Sequence, residues 1–337
     1  MHHQGGMDLA PLPLAILVDL DDTVISDSAE GKANWRAAVN AAAEVVELVL
    51  TPTAYGMDAH LNLTLPSGET TRAGVEFKAR AEPSEVVRLV PWLRDNGPAI
   101  LVAPSIRGRS RDLLTSAGIS WMEPNGDCRI ALGSLFVERL DRSRPRKKVG
   151  AKGTRFVSDL FCGGALRIVR RLLIEPDRPW SLADMAERTS LTPGFVSRTF
   201  KTLARDAYLD RAQMASKVSD REALLDAWAT APPPADQVFE RVATVSSVEA
   251  LVRTLRDKPG PGTYALTAEA AAERLAPFAR YSQVEVYCDD VAAWDQQLGL
   301  VPVPRGGNLV LIEPVDRGVF DGSFTRNGLT LVSRPQL

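Results

Sequence analysis

The amino-acid sequence predicts a multidomain α/β chain. Three observations predict it. Short apolar runs of strand length alternate with helical-period stretches at both ends of the chain, and a basic segment lies between those ends. Two proline-containing breaks, Arg142-Ser143-Arg144-Pro145-Arg146-Lys147-Lys148 and Ala231-Pro232-Pro233-Pro234, interrupt any continuous element. They divide the chain into expected domains at 1–142, 143–230 and 235–337. With 337 residues, 45% of them apolar, each segment has enough material for its own core.

In the first segment Leu14 to Val18 is a short apolar run. Asn34 to Leu50 shows helical spacing through Ala38, Ala42, Val45, Val46 and Val49. Leu61, Leu63 and Leu65 alternate, Gly68 marks a turn, and Val75-Glu76-Phe77-Lys78 alternates again, so the stretch reads as a β-hairpin. Ile100 to Ala103 reads as a buried strand, Arg109 to Ala117 as a helix ending at Gly118, and Leu132 to Val137 as a last strand. The third segment repeats the mixed pattern, with a helix from Ala268 to about Phe278 and strands at 284–288, 309–312 and 329–332. Either that last strand closes the domain or a C-terminal extension follows it.

The net charge of −2 conceals an asymmetry. From Arg144 to Lys217 there are 16 Lys and Arg against 7 Asp and Glu, an excess of nine positive charges that leaves −11 for the remainder. A segment of that sign is suited to phosphate, and its neighbours are not. Cys128, Cys162 and Cys288 are odd in number and far apart, which argues against a disulfide framework and a paired-ligand zinc site. They read as reduced, packed thiols. Apart from His2 and His3 in the leader, His60 is the one internal imidazole, so a histidine-centred active site is not expected. With no signal-like leader and no apolar run of membrane-spanning length, the expected location is cytoplasmic.

Within the basic segment, Ala165, Ile168, Val169, Leu172 and Leu173 form an apolar helix stripe, with Arg167, Arg170 and Arg171 off it, and Pro176 and Pro179 end that helix. Ser181 is an N-cap for a two-turn helix whose buried side is Leu182, Met185 and Ala186. Thr189-Ser190-Leu191 is a tight turn. Thr192 then caps a third helix with Pro193 at its first position, where a missing N–H costs nothing. Val196, Phe200 and Leu203 face inward, leaving Ser197, Arg198, Lys201 and Arg205 on an outward face. Residues 208–211 and 217–219 read as a short wing, with Arg211 and Lys217 as further cations. The pattern is that of a winged helix-turn-helix, whose third helix places such side chains against phosphates and guanine in the major groove of double-stranded DNA.

The order Trp180 to Ala186, Thr192 to Arg198, then Leu203 resembles the winged helix of the AbiEi-like type IV antitoxin regulators. Ile100 to Pro104, Leu113-Leu114, Ala117-Gly118-Ile119 and Asn125-Gly126-Asp127 resemble the segment preceding it in that family. Tyr264 to Thr267, Gly306 to Leu311 and Val332 to Leu337 resemble the family's C-terminal domain. The resemblance covers most of the chain from about residue 55. It implies a transcriptional repressor that recognises operator DNA, with a functional link to a nucleotidyltransferase toxin. Separately, one recognition helix reads only a few base pairs, so operator binding is expected to use two winged helices, from a homodimer or from two monomers on repeated half-sites. A regulator outside any toxin system fits the same residues.

Two enzymatic readings stand beside it. Asp58, Glu76 and Lys78 fit the D…ExK spacing of PD-(D/E)xK nucleases, in which two carboxylates hold Mg²⁺ and the lysine orients a water near the scissile phosphate. Glu44 or Glu47 is a candidate additional carboxylate. A nuclease-like fold without cleavage, serving as a scaffold, fits these residues too. Separately, Asp19-Leu20-Asp21-Asp22-Thr23 resembles the first motif of haloacid-dehalogenase-type phosphatases, with Asp19 as nucleophile, Asp21 as general acid and Ser105 as a second motif. The order of the later parts fails, since Gly126-Asp127 precedes Lys147 and Lys148 instead of following them.

Overall fold

The computed structural model describes residues 47–52, 56–64, 70–123, 127–140, 160–211, 214–231, 239–244, 247–257, 260–277, 281–303 and 307–337, with the backbone alone for 47–52, 63–64 and 239–244. It is mixed α/β and forms two compact units, residues 1–147 with 205–207, and residues 148–204 with 208–337.

The first unit is built on a seven-stranded sheet whose strands lie in sequence order. Strands β1 (Glu47–Pro52), β2 (Ala59–Thr64) and β3 (Thr70–Phe77) form an antiparallel meander. Helix α1 (Pro83–Asp95) and helix α2 (Gly108–Ser116) then carry the chain to parallel strands β4 (Ala99–Val102) and β5 (Ser120–Met122). Strands β6 (Cys128–Leu132) and β7 (Leu135–Arg139) complete the sheet as an antiparallel hairpin. Period-two alternation divides the apolar side chains between two cores. Ala59, Leu61, Val75, Phe77, Ile100 and Val102 share one, while Leu101, Ala103 and Trp121 share the other with Val86, Leu93 and Leu114 of the helices. Strand β4 is buried at all four positions because both its faces are covered.

Two expectations are corrected here. Glu47 to Leu50, read as the end of a helix, belong to β1: Leu48 and Leu50 alternate as well as they fit a helix, and pairing with β2 decides the case. The stretch from Leu132 to Val137 is two strands, because Gly133 takes a positive φ of 56° and the chain reverses with Leu132 opposite Leu135.

The second unit opens with helices α3 (Gly163–Ile174), α4 (Leu182–Thr189) and α5 (Pro193–Arg205), the two-stranded antiparallel pair β8 (Leu209–Arg211) and β9 (Ser216–Val218), and helix α6 (Arg221–Thr230). Ser181 caps α4 by accepting from the Asp184 amide at 3.0 Å, and Ser190 in the left-handed region turns the chain into α5. Ile168, Val169, Leu172, Met185, Val196, Phe200 and Leu203 make one core around Trp180.

The rest of this unit is a seven-stranded mixed sheet in the order β13-β10-β14-β12-β11-β16-β15. Its strands are β10 (Phe239–Thr244), β11 (Tyr264–Thr267), β12 (Val284–Cys288), β13 (Val301–Pro302), β14 (Leu309–Glu313), β15 (Phe324–Arg326) and β16 (Leu329–Leu331). Helices α7 (Val248–Asp257), α8 (Ala268–Leu275) and α9 (Val291–Leu298) pack their apolar sides into one cluster with it. The helix expected to reach about 278 ends at Leu275. Strands β12, β14 and β16 all have neighbours on both sides, so the edges available for pairing are β13 and β15.

Helix α3 also packs against the end of the chain. Arg170 on α3 is 2% exposed, donates from Nε to Gln336 Oε1 at 3.0 Å and lies over the Trp228 ring at 5.6 Å. It was expected off the buried stripe; the C-terminal residues cover it. Arg167 bonds Asp316 at 2.7 Å, and Asp316 also accepts from the Gly318 amide at 2.8 Å. Among the described residues no helix is long and apolar enough to cross a membrane.

Burial raises the Cys128 thiol to about 11 and the Cys288 thiol to about 12, and both are buried, whereas Cys162 is partly exposed. Thiolate is the reactive form. A chromogenic disulfide reagent at neutral pH should therefore modify Cys162 first and reach the other two only on denaturation. Equal rates for all three in the native protein would contradict this packing.

Candidate functional site

Two sets of polar side chains stand out. The first is on α5. Its N-terminus is fixed by Thr192, whose Oγ1 accepts from the Phe195 amide at 3.3 Å, and its buried side is Val196, Phe200 and Leu203. With that side turned inward, Arg198 and Lys201 are exposed and Ser197 is partly exposed one turn from Lys201. Arg198 lies over the Phe195 ring at 5.9 Å, which orients its guanidinium without occupying its donors. Arg205 departs from this face: its Nε and a terminal nitrogen bond both Asp206 oxygens at 2.9 and 3.2 Å, and that pairing raises its pKa despite partial burial. Its fork is therefore already engaged.

In the two-stranded pair, Asp210 lies opposite Lys217 and Arg211 opposite Ser216. Period-two alternation then sends Arg211 and Lys217 to opposite faces, so the two cannot approach one surface side by side. Lys217 is further tied to Asp177 at 3.2 Å, although both are exposed.

The second set is on the first unit's sheet. Asp58 immediately precedes β2, and the β2–β3 register, with Ala59 opposite Val75, sets it across from Glu76. Asp58 Oδ2 accepts from the Phe77 amide at 2.8 Å, and the Lys78 ammonium contacts Glu76 Oε1. The structure thus brings Asp58, Glu76 and Lys78 together. Glu76 is 5% exposed, and its Oε2 is buried without a hydrogen-bond partner. Burial pushes the Glu76 carboxyl above the ordinary carboxylate range; Lys78 opposes the shift, the negative charge of Asp58 adds to it, and a hydrogen bond from the Asp58 backbone opposes it. A buried, bare carboxylate oxygen fits a hard cation, and Mg²⁺ keeps several waters, so two carboxylates suffice to hold it. Among the described residues no group of three or more His, Cys, Asp or Glu could hold a metal. Glu47 cannot join, because it pairs with Thr64 at the far end of β2, some 20 Å from Asp58 at about 3.3 Å per residue. Glu44 lies outside the described residues.

Asp19 and Asp21 also lie outside the described residues, and Ser105 is an exposed residue after β4. Two features were missed in the sequence. Asp127 bonds Arg111 at 3.0 Å, together with Glu123, and Arg111 lies over Trp121 at 4.7 Å, a clamp that ties α2 to β5. His60 lies two residues from Asp58 with Nδ1 buried and unpartnered, a position that alternation along β2 alone would have indicated. No family model, curated protein or solved structure matches the chain.

The raised Glu76 pKa carries a sign. Ionisation of this group opposes folding, a penalty absent below its ordinary value of 4.5 and fully developed once pH exceeds the raised folded value. Glu76→Gln should accordingly raise Tm at neutral pH, and the gain should vanish as pH falls toward 4.5. A Gln variant less stable than the parent at pH 7 would show that the Lys78 pairing outweighs burial.

Proposed function

We propose that residues 160–231 form a winged helix-turn-helix that binds double-stranded DNA sequence-specifically, and that the chain is a transcriptional regulator. The observation that carries this reading is the division of α5: an apolar side sunk in the core and, opposite it, Ser197, Arg198 and Lys201 left with free donors in the most basic stretch of the chain. Guanidinium and ammonium groups held on a rigid helix are suited to base edges and phosphates in a groove that admits one helix. The resemblance to AbiEi-like regulators extends the reading to a repressor of antitoxin type with a nucleotidyltransferase toxin as its functional counterpart. One recognition helix reads only a few base pairs, so we assign operator binding to two copies, with half-sites about 10 bp, or a multiple, apart. A dimer built by sheet pairing would use β13 or β15.

Arg198→Ala should weaken binding to a selected duplex by about 1–3 kcal/mol if it reads a base. Lys201→Ala should flatten the slope of log affinity against log salt by about one unit. Arg205→Ala should have the smallest effect, since Asp206 holds that guanidinium. Unchanged affinity in an Arg198→Ala, Lys201→Ala double variant would remove α5 as the recognition helix.

A second reading is favoured by the bare Oε2 of Glu76. The 47–122 region then acts as a PD-(D/E)xK-like nuclease, with Asp58 and Glu76 holding Mg²⁺ and Lys78 placed to orient a water. Mg²⁺ bound there would supply an activated water and neutralise charge on a phosphate. Incubation of supercoiled and linear DNA with Mg²⁺ or Mn²⁺ tests it. Nicking that disappears in Lys78→Ala would establish an enzyme, and intact DNA at high protein concentration would leave this region as a scaffold.

A further inference from the structure

Arg167 on α3 joins two segments that are far apart in the sequence. Its Nε donates to Asp316 Oδ1 at 2.7 Å, and a terminal nitrogen donates to the Thr189 carbonyl at 3.4 Å. Asp316 lies just beyond β14 of the C-terminal sheet, and Thr189 is the last residue of α4. The next residue, Ser190, makes the turn into α5. We propose that Asp316, acting through Arg167, positions this turn and with it α5, so that a residue of the C-terminal sheet sets how well the chain reads DNA. The consequence for DNA rests on the reading of α5 given above; the positioning itself does not.

Both ends of this bridge are held. Asp316 Oδ1 also accepts from the Gly318 amide at 2.8 Å and so caps the 3-10 turn Arg317–Phe320, which fixes the carboxylate against its own backbone. One turn further along α3, Arg170 holds Gln336, so the C-terminal residues meet this helix at a second point. At the other end, the last carbonyls of a helix have no amide further along to bond, and a cation there also complements the negative end of the helix dipole. The turn beyond depends on such support. Ser190 takes a φ of 54°, in the left-handed region, which is unfavourable for a residue with a Cβ and is kept where the surroundings fix it. The Ser190 amide bonds the Glu187 carbonyl at 3.3 Å and the Leu191 amide bonds that of Ala186 at 3.0 Å, both reaching back into the last turn of α4. Holding the Thr189 carbonyl therefore holds the direction in which α5 departs.

Asp316→Asn separates positioning from simple electrostatics. The amide oxygen can still cap Gly318, but the ionic part of the bond to Arg167 is lost and the protein becomes one charge less negative. Charge alone then predicts DNA binding that is unchanged or tighter, whereas lost positioning predicts weaker binding. Fluorescence anisotropy on the full chain, with a duplex selected from a random pool, measures the difference. Asp316→Asn and Arg167→Gln should each weaken that duplex by about fivefold or more, the lower end of coupling between distinct sites. In Asp316→Asn the slope of log affinity against log salt should stay the same, since no phosphate contact is lost. The double variant should be no weaker than Arg167→Gln, because Asp316 acts through Arg167. Without DNA, hydrogen exchange at the Ser190 and Leu191 amides should be at least about threefold faster in both single variants, with the amides of Leu172 and Leu173 in α3 at the parent rate. Unchanged or tighter binding in Asp316→Asn, additive losses in the double variant, or unchanged exchange at Ser190 and Leu191 would each overturn the proposal. Faster exchange throughout α3 and α4 would overturn it also, by reducing the bridge to a general contribution to stability. A parent chain with no duplex affinity removes the DNA reading, and the exchange rates then decide the positioning by themselves.

Discussion

Helix α3 must be buried on nearly every side, and the second unit is organised around that constraint. Its apolar stripe feeds the core beneath α4 and α5, while Arg170 and Ile174 meet the residues that end the chain. A guanidinium taken out of water has to be matched by polar groups or aromatic faces, or its burial is strongly unfavourable. Arg170 Nε finds the Gln336 side-chain oxygen and the guanidinium lies over the Trp228 ring, one terminal nitrogen stays buried without a hydrogen-bond partner, and the negative charges of Asp316 and Asp321 resist the lowering of its pKa that burial imposes. Close approach dictates what surrounds it. A Cβ at position 318 would come within 2.8 Å of Arg167 Cγ, and one at 322, where φ is +71°, within 2.4 Å of Ile174 Cδ1, so both positions hold glycine. Segments about 150 residues apart in sequence thereby become one packed unit.

In the first unit the corresponding constraint is the period of two along β3. Val75 and Phe77 enter one core, and Glu76 is forced into the opposite one beside Leu101 and Trp121. A carboxylate placed there by alternation cannot escape to solvent by choosing another rotamer. It is met by Lys78, two residues on along the same face, and by Asp58 across the sheet, whose own oxygen is taken by the Phe77 amide. The arrangement is fixed by backbone register, which is why three residues spread over twenty positions converge.

Local patterns were legible in the sequence where a single element decides the outcome. The spacing of Val196, Phe200 and Leu203, the Ser181 cap and the alternation through Val75 and Phe77 all appear in the structure as spacing and capping rules require. What was not legible depended on partners far along the chain or on competing periods. Arg170 looked like a solvated helix cation because Gln336 and Trp228 lie elsewhere in the sequence. Glu47 to Leu50 satisfied both a helical and an alternating pattern, and only pairing with β2 separates them. The loss of Arg205 from the α5 face turned on the geometry of its neighbour Asp206, which adjacency in sequence does not specify.

Burial acts in opposite senses at the two candidate sites. Arg198 and Lys201 remain in water and require no internal counter-charge, so holding them on the α5 surface carries no desolvation cost. Glu76 has already lost its water, and its two oxygens have different fates. Lys78 neutralises Oε1, which is enough for a scaffold. Oε2 has nothing, and an unmatched acceptor in the interior is unfavourable. A purely structural site would be more stable with an apolar residue or an amide at this position. The unfavourable burial of Oε2 is what distinguishes this carboxylate from Arg198 and Lys201, whose donors remain solvated.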